Sequence, residues 1–396
     1  MSGPATPAPA RARIESVDLL RGAIMILMAL DHTRDYFGAP VNPTDIATTT
    51  VALFFTRWVT HFCAPVFFLL TGTGAFLALR RRSVAGLSRF LLTRGLWLIF
   101  LEFVVVRCLG WQVNFDYHLT VLTVLWALGW AMIVLSALVW LPASVVGAIG
   151  AAMIVTHNLF DTVQASSLGA LAPLWTALHA PGVLWTDGVH MVFAAYVLIP
   201  WVGVTAVGYA LGQAYRWEPE RRRRFLLRLG IALVISFIAL RLVNLYGDPS
   251  RWTHQRSGMF TALSFINTTK YPPSLLYLLM TLGPALLFLR AVDGGVPRVL
   301  RPALAYGKVP MFYYVLHIVL IHLLAVVACL VRYGSAHWMF ESPTLDRYPV
   351  TQPPGWPAPL PGVWLIWVTV VVLLSPLCRW FAGVKRRRTD WWLSYL

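Results

Sequence analysis

Residues 20–37 read LRGAIMILMALDHTRDYF. The middle, Gly22 to Leu30, carries no charge and is mostly Ile, Leu, Met and Ala. Arg21 stands at one end; Asp31, His32, Arg34 and Asp35 stand at the other. The pattern is that of a membrane helix, and ionisable groups at such depth are expensive unless they line a cavity. Arg21 and His32 are eleven residues apart. Eleven steps of ~100° return to nearly the same helix face, ~16 Å along the axis. Asp35 falls on the same stripe, three residues after His32. It is predicted to accept an imidazole N–H and so make the other nitrogen more basic. Asp31 and Arg34 form a second i,i+3 pair on a neighbouring face. Arg34 reads as an interfacial charge, and His32 as a functional group.

The rest of the chain agrees with a membrane setting. Of 396 residues 58% are hydrophobic and 12% charged, with a mean hydropathy of +0.67. Soluble domains are about a quarter charged. Ten stretches are long and apolar enough to span: 17–37, 52–79, 90–110, 119–141, 143–160, 188–212, 225–246, 272–291, 309–331 and 361–382. With both termini cytoplasmic, most of the 32 Lys and Arg fall on the inner side, in runs such as ERRRRF and KRRR. The net charge of +16 therefore needs no nucleic-acid partner. The turn at 141–143 has no positive charge, which makes the fourth and fifth spans the weakest assignments. Residues 1–14 are expected to form a disordered cytoplasmic tail, and 15–396 a single transmembrane domain. Four scattered cysteines suggest neither a disulfide framework nor a metal site.

The stretch RIESVDLLRGAIMILMALDH (13–32) resembles the opening of the heparan-alpha-glucosaminide N-acetyltransferase-like membrane proteins. Its R-x(10)-H pattern also resembles the signature of the wider acyltransferase-3 group. HFCAPVFFLLTGTGAFL (61–77), NTTKYPPSLLYLLMTLGP (267–284), YGKVPMFYYVLHIVLIHLL (306–324) and the ending RRRTDWWLSYL resemble the bacterial branch of the first family. The resemblance implies transfer of an acyl group, with acetyl-CoA or another acyl-CoA as cytoplasmic co-substrate and an acceptor outside. It departs at one point: the animal enzymes have Asn at the position of His32 and an active-site His in the loop that follows. The loop here, 38–51, has no histidine. Either the catalytic role has moved to His32, or the glucosamine substrate does not carry over.

On that basis Arg21 pairs a CoA phosphate or pantetheine carbonyl at the inner mouth, and His32 takes the acceptor's proton. Asp18, three residues before Arg21, orients it. Lys308 is a second candidate phosphate ligand. His61 opens the second span at the depth of His32 and is either a second cavity residue or a satisfied interfacial histidine. Lys270, just before the eighth span, either neutralises a developing oxyanion or snorkels to the interface. Pro272 and Pro273 suit the start of that span. Tyr313 and His317 face together, and their contact reads as structural. Glu102 and Arg107 are placed to pair across helices.

The reading is an all-α integral membrane protein of about ten transmembrane helices, multi-pass in the plasma (bacterial inner) membrane. It transfers an acyl group to a hydroxyl or amine of an extracytoplasmic saccharide or glycan. No metal is expected. The partners are membrane lipids and the acceptor, with a homodimer compatible with the chain. The alternative is a transporter of small anions or lipid-linked precursors.

Overall fold

A computed structural model describes residues 14–388 and 390–395. The expected tail, 1–14, lies outside the described residues but for Ile14. The chain is mostly helical. In chain order the principal elements are α1 (Glu15–Phe37), α2 (Val51–Ala78), α3 (Val84–Phe100), β1 (Leu119–Leu122), α4 (Val124–Leu138) and α5 (Ala143–Phe160). There follow α6 (Ala172–Leu178), β2 (Gly182–Thr186), β3 (Met191–Ala194), α7 (Leu198–Leu211), α8 (Pro219–Val243), α9 (Gly258–Ile266) and α10 (Leu275–Val292). The last are α11 (Leu304–Lys308), α12 (Pro310–Tyr333) and α13 (Leu360–Arg387).

Among the described residues, six helices have the length and composition to cross a membrane: α2, α5, α8, α10, α12 and α13. The other four expected stretches contain helices that are too short or too charged to join these six. Helix α1 carries its charges within the span. Helix α3 carries Arg89 and Arg94 within its length and continues beyond Phe100 as π-helix through Leu101–Trp111. The stretches 119–141 and 188–212 are each part strand, which corrects the reading of them as continuous helices. Their first residues form β1 and β3, leaving helices of 15 and 14 residues. LTVL and MVFA are apolar runs that fit either structure; what makes them strands is each other. β1 pairs parallel with β3, Leu119 opposite Met191, and β2 pairs antiparallel with β3 in the order β1-β3-β2.

Helix α1 lies against α11, α12 and α13 on one side and against α2 and α10 on the other. Its contact with α11 is backbone on backbone. A Cβ at Gly22 would sit 1.9 Å from the Ala303 carbonyl oxygen, and one at Gly307 1.7 Å from that of Asp18. Small residues let membrane helices approach this closely. The crossing brings Lys308 beside Arg21. Helix α10 begins at Leu275, later than the two prolines, because the Ser274 side chain caps it by accepting from the Tyr277 amide at 3.0 Å.

Candidate active site

Three groups of ionisable residues are arranged along α1. At its N-terminal end, Arg21 donates to Asp18 Oδ1 at 3.1 Å and to the Gly307 carbonyl at 3.3 Å. The expected Asp18–Arg21 pair is therefore present, and α11 adds a second anchor. Arg21 lines a cavity of ≈ 320 Å³ with Lys308, Arg94 and Lys385. The remaining wall is apolar, including Phe67, Leu70, Leu98 and Met132, and Gly74 of the TGTG run opens the space beside it. Arg94 and Lys385 went unrecognised in the sequence. They sit in α3 and α13, and both read there as orientation signals.

At the other end, Asp31 bridges two arginines. It accepts from Arg34 at 3.0 Å and from Arg57 of α2. Asp35 pairs with Arg34 at 2.5 Å. This corrects the reading of Asp35: its partner is Arg34, and the His32 ring turns elsewhere. It also corrects Arg34, which is a half-buried member of a charge network. Arg34, Arg57, His61 and Lys270 line a second cavity of ≈ 630 Å³ with Asp45, Arg251 and residues 267–271. The two sequence candidates His61 and Lys270 thus share one cavity. The His61 ring lies on Tyr277, whose hydroxyl donates to the His61 carbonyl at 2.7 Å; its own Nδ1 has no hydrogen-bond partner among the described residues.

His32 lines neither cavity. It faces α12, with Nδ1 2.7 Å from Nε2 of His317. The Nδ1 of His317 is 2.9 Å from the Tyr313 carbonyl oxygen. A carbonyl only accepts, so His317 Nδ1 carries the proton and donates to it. For neutral rings, His317 Nε2 is then the acceptor, and His32 Nδ1–H donates to it. The chain of bonds leaves the lone pair of His32 on Nε2. The ring is held edge-on by Trp111 at 4.7 Å and Tyr314 at 6.3 Å. The Tyr313–His317 contact expected from spacing exists, through backbone and ring stacking at 5.1 Å, while the Tyr313 hydroxyl makes no bond among the described residues. The role of His317 was not legible because its partner is 285 residues away. His322 faces differently, toward the Tyr36 hydroxyl and the Gly110 carbonyl.

Glu102 and Arg107 do not pair. Glu102 accepts from the amides of Thr123 and Leu125 and so fixes the start of α4. Arg107 holds Asn114 and Asp116 of the loop that follows. Burial pushes the Asp116 carboxyl up, but hydrogen bonds from Ser342, the His118 amide and Arg107 outweigh it and hold it below its usual range. All four cysteines are buried free thiols.

A family model described as heparan-alpha-glucosaminide N-acetyltransferase, catalytic, matches residues 13–244. No curated protein matches the chain. The matched region runs from the R-x(10)-H helix through α8 and includes Arg21, His32, Asp35 and His61; Lys270, Lys308 and His317 lie beyond it. The match spans more than half of the sequence, and the chain belongs to the heparan-alpha-glucosaminide N-acetyltransferase catalytic-domain family.

Proposed function

We propose that the protein is an acyl-CoA-dependent acyltransferase that carries an acyl group, acetyl by family, from the inner side of a membrane to an acceptor on the outer side. The observation that carries this reading is the course of α1. It brings Arg21 to a basic cavity at one end and Arg34 to a polar cavity at the other, with His32 between them. About ten spans with both termini inside give these cavities their sides.

The inner cavity suits CoA. Its four basic residues match phosphates, and its apolar wall matches a pantetheine arm. The Arg21–His32 separation of ~16 Å along the helix matches the reach of that arm. The outer cavity suits a saccharide, since its lining is rich in Asn, Ser and Thr and its Arg34 and Arg57 are already engaged by Asp31 and Asp35.

In the reaction the acceptor oxygen or nitrogen attacks the thioester carbonyl. Its proton passes to His32 Nε2, a C–O or C–N bond forms, and the C–S bond breaks. The proton then leaves with the CoA thiolate as thiol. His317 keeps His32 in the tautomer that can accept. Lys270 faces the cavity where an oxyanion or an acidic acceptor is to be held.

The test is incubation of purified protein in detergent with radiolabelled acetyl-CoA and a panel of amino sugars and neutral saccharides. Label is expected on one of them, in a reaction lost in His32→Ala. A folded protein that binds CoA and labels no acceptor sinks the reading. Loss in His61→Ala with an active His32→Ala moves the base to His61.

A further inference from the structure

The segment that follows α5 holds a cluster that the transfer reaction does not use. His157 opens the last turn of that helix, Asp161 directly follows its end, and His179 lies just beyond α6. One ligand atom from each lies within 4.8 Å of the other two. We propose that His157, Asp161 and His179 bind one divalent transition-metal ion, with Zn²⁺ as the best match, and that the ion staples the outer 157–179 segment.

The geometry fits this ion in two respects. Two ligand atoms on a tetrahedral zinc with bonds of 2.0–2.1 Å lie about 3.3 Å apart. Nε2 of His179 is 3.8 Å from Oδ1 of Asp161, about half an ångström beyond that spacing. Two imidazoles on one such ion have ring centres about 5 Å apart; those of His157 and His179 are 5.7 Å apart.

The burial points the same way. His157 is 1% exposed; the Pro273 backbone hydrogen-bonds one side of its ring, and the other ring nitrogen has no hydrogen-bond partner among the described residues. A buried imidazole left in that state wants a ligand. Oδ1 of Asp161 is likewise buried and unbonded. The surroundings are those of a metal site. Asn158 Nδ2 donates to Asp161 Oδ2 at 2.8 Å, which turns Oδ1 toward the histidines, and Trp175 stacks on the His179 ring at 4.8 Å. His179 Nε2 now contacts the His157 carbonyl at 2.7 Å. Binding exchanges that hydrogen bond for a metal–nitrogen bond, with the Nε2 proton lost to solvent and one taken up at Nδ1, so that the ring ligates as the neutral tautomer. Asp161 is only partly buried and provides the entry. The set uses His and Asp on helix ends, so a search for paired cysteines does not find it.

The Asn158 side chain also accepts from the Leu275 amide at 2.9 Å, so the ion would brace the start of α10. The test uses full-length protein carrying no histidine tag, in detergent, stripped with chelator and then dialysed against micromolar Zn²⁺ or Co²⁺. Elemental analysis is expected to give one Zn²⁺ per chain, and Co²⁺ the intense visible bands of a tetrahedral site. Asp161→Asn, which preserves shape, is expected to weaken binding at least tenfold, and His157→Ala and His179→Ala to abolish it. A wild-type protein that retains no Zn²⁺, a pale octahedral Co²⁺ spectrum, or wild-type affinity in a folded Asp161→Asn or His179→Ala protein overturns the proposal.

Discussion

The two cavities at the ends of α1 use charge in opposite ways. The outer one is built from groups that satisfy each other: Asp31 is shared by Arg34 and Arg57, and Asp35 is held by Arg34. The inner one has Arg21, Arg94, Lys308 and Lys385 in its wall and no carboxylate lining it among the described residues. Asp18 pairs with Arg21 at 3.1 Å from outside that wall. Charges that balance each other, two carboxylates against two guanidiniums here, hold a structure together. Basic groups gathered in one wall set up a positive field that favours an anion there. The contrast assigns stability to the outer network and ligand binding to the inner ring.

The sharpest way to break that contrast is at the residue between the cavities. His32→Ala should reduce turnover by ~10²–10⁴ while acyl-CoA binding is retained. Measured turnover and CoA affinity that fall together would mean that His32 belongs to the inner site. Activity should also fall on acidification, because a protonated imidazole has no lone pair to offer.

Arg57→Ala tests the outer network. Removing one partner of a buried ion pair costs about 3–5 kcal/mol. The expected outcome is a large drop in thermal stability, partly recovered in Asp31→Asn with Arg57→Met. A stable Arg57→Ala protein with altered acceptor affinity would instead make Arg57 a ligand for substrate.

Arg21→Ala tests the inner ring, where the effect should fall on binding. A hydrogen bond to a charged group contributes roughly 1.5–3 kcal/mol, which is about a tenfold to a hundredfold loss of CoA affinity. Calorimetric titration with CoA measures it, and Lys308→Ala should show the same sign with a smaller loss. The smallest effect is expected for Asp35→Asn. Because Asp35 contacts Arg34 and His32 turns to His317, the acid limb of the rate profile should stay where it is. A shifted limb would restore Asp35 as the partner of His32.

Local spacing carried part of this arrangement. Asp18 with Arg21 and Asp31 with Arg34 are three residues apart on one helix, and helical geometry alone sets such neighbours side by side. The cavity positions of His61, Lys270 and Lys308 followed from their places at the ends of apolar runs. Asp35 failed as a partner because the same spacing that let it reach His32 also set it beside Arg34, and an opposite full charge is the stronger attraction.

The amino-acid sequence by itself determined that the chain is apolar and helical, which residues of α1 share a face, and which ends of the helices carry charge. Tertiary structure alone decided that His32 meets His317, that Asp31 reaches Arg57, that Arg94 and Lys385 join Arg21, and that two apolar runs pair as strands. The physical reason is the uniform apolarity of membrane segments. A helix that is hydrophobic all round has no polar face to report which side meets which neighbour. Only close packing, at contacts such as Gly22 on Ala303 and Gly307 on Asp18, sets the rotation of each helix and therefore the partner of each buried charge.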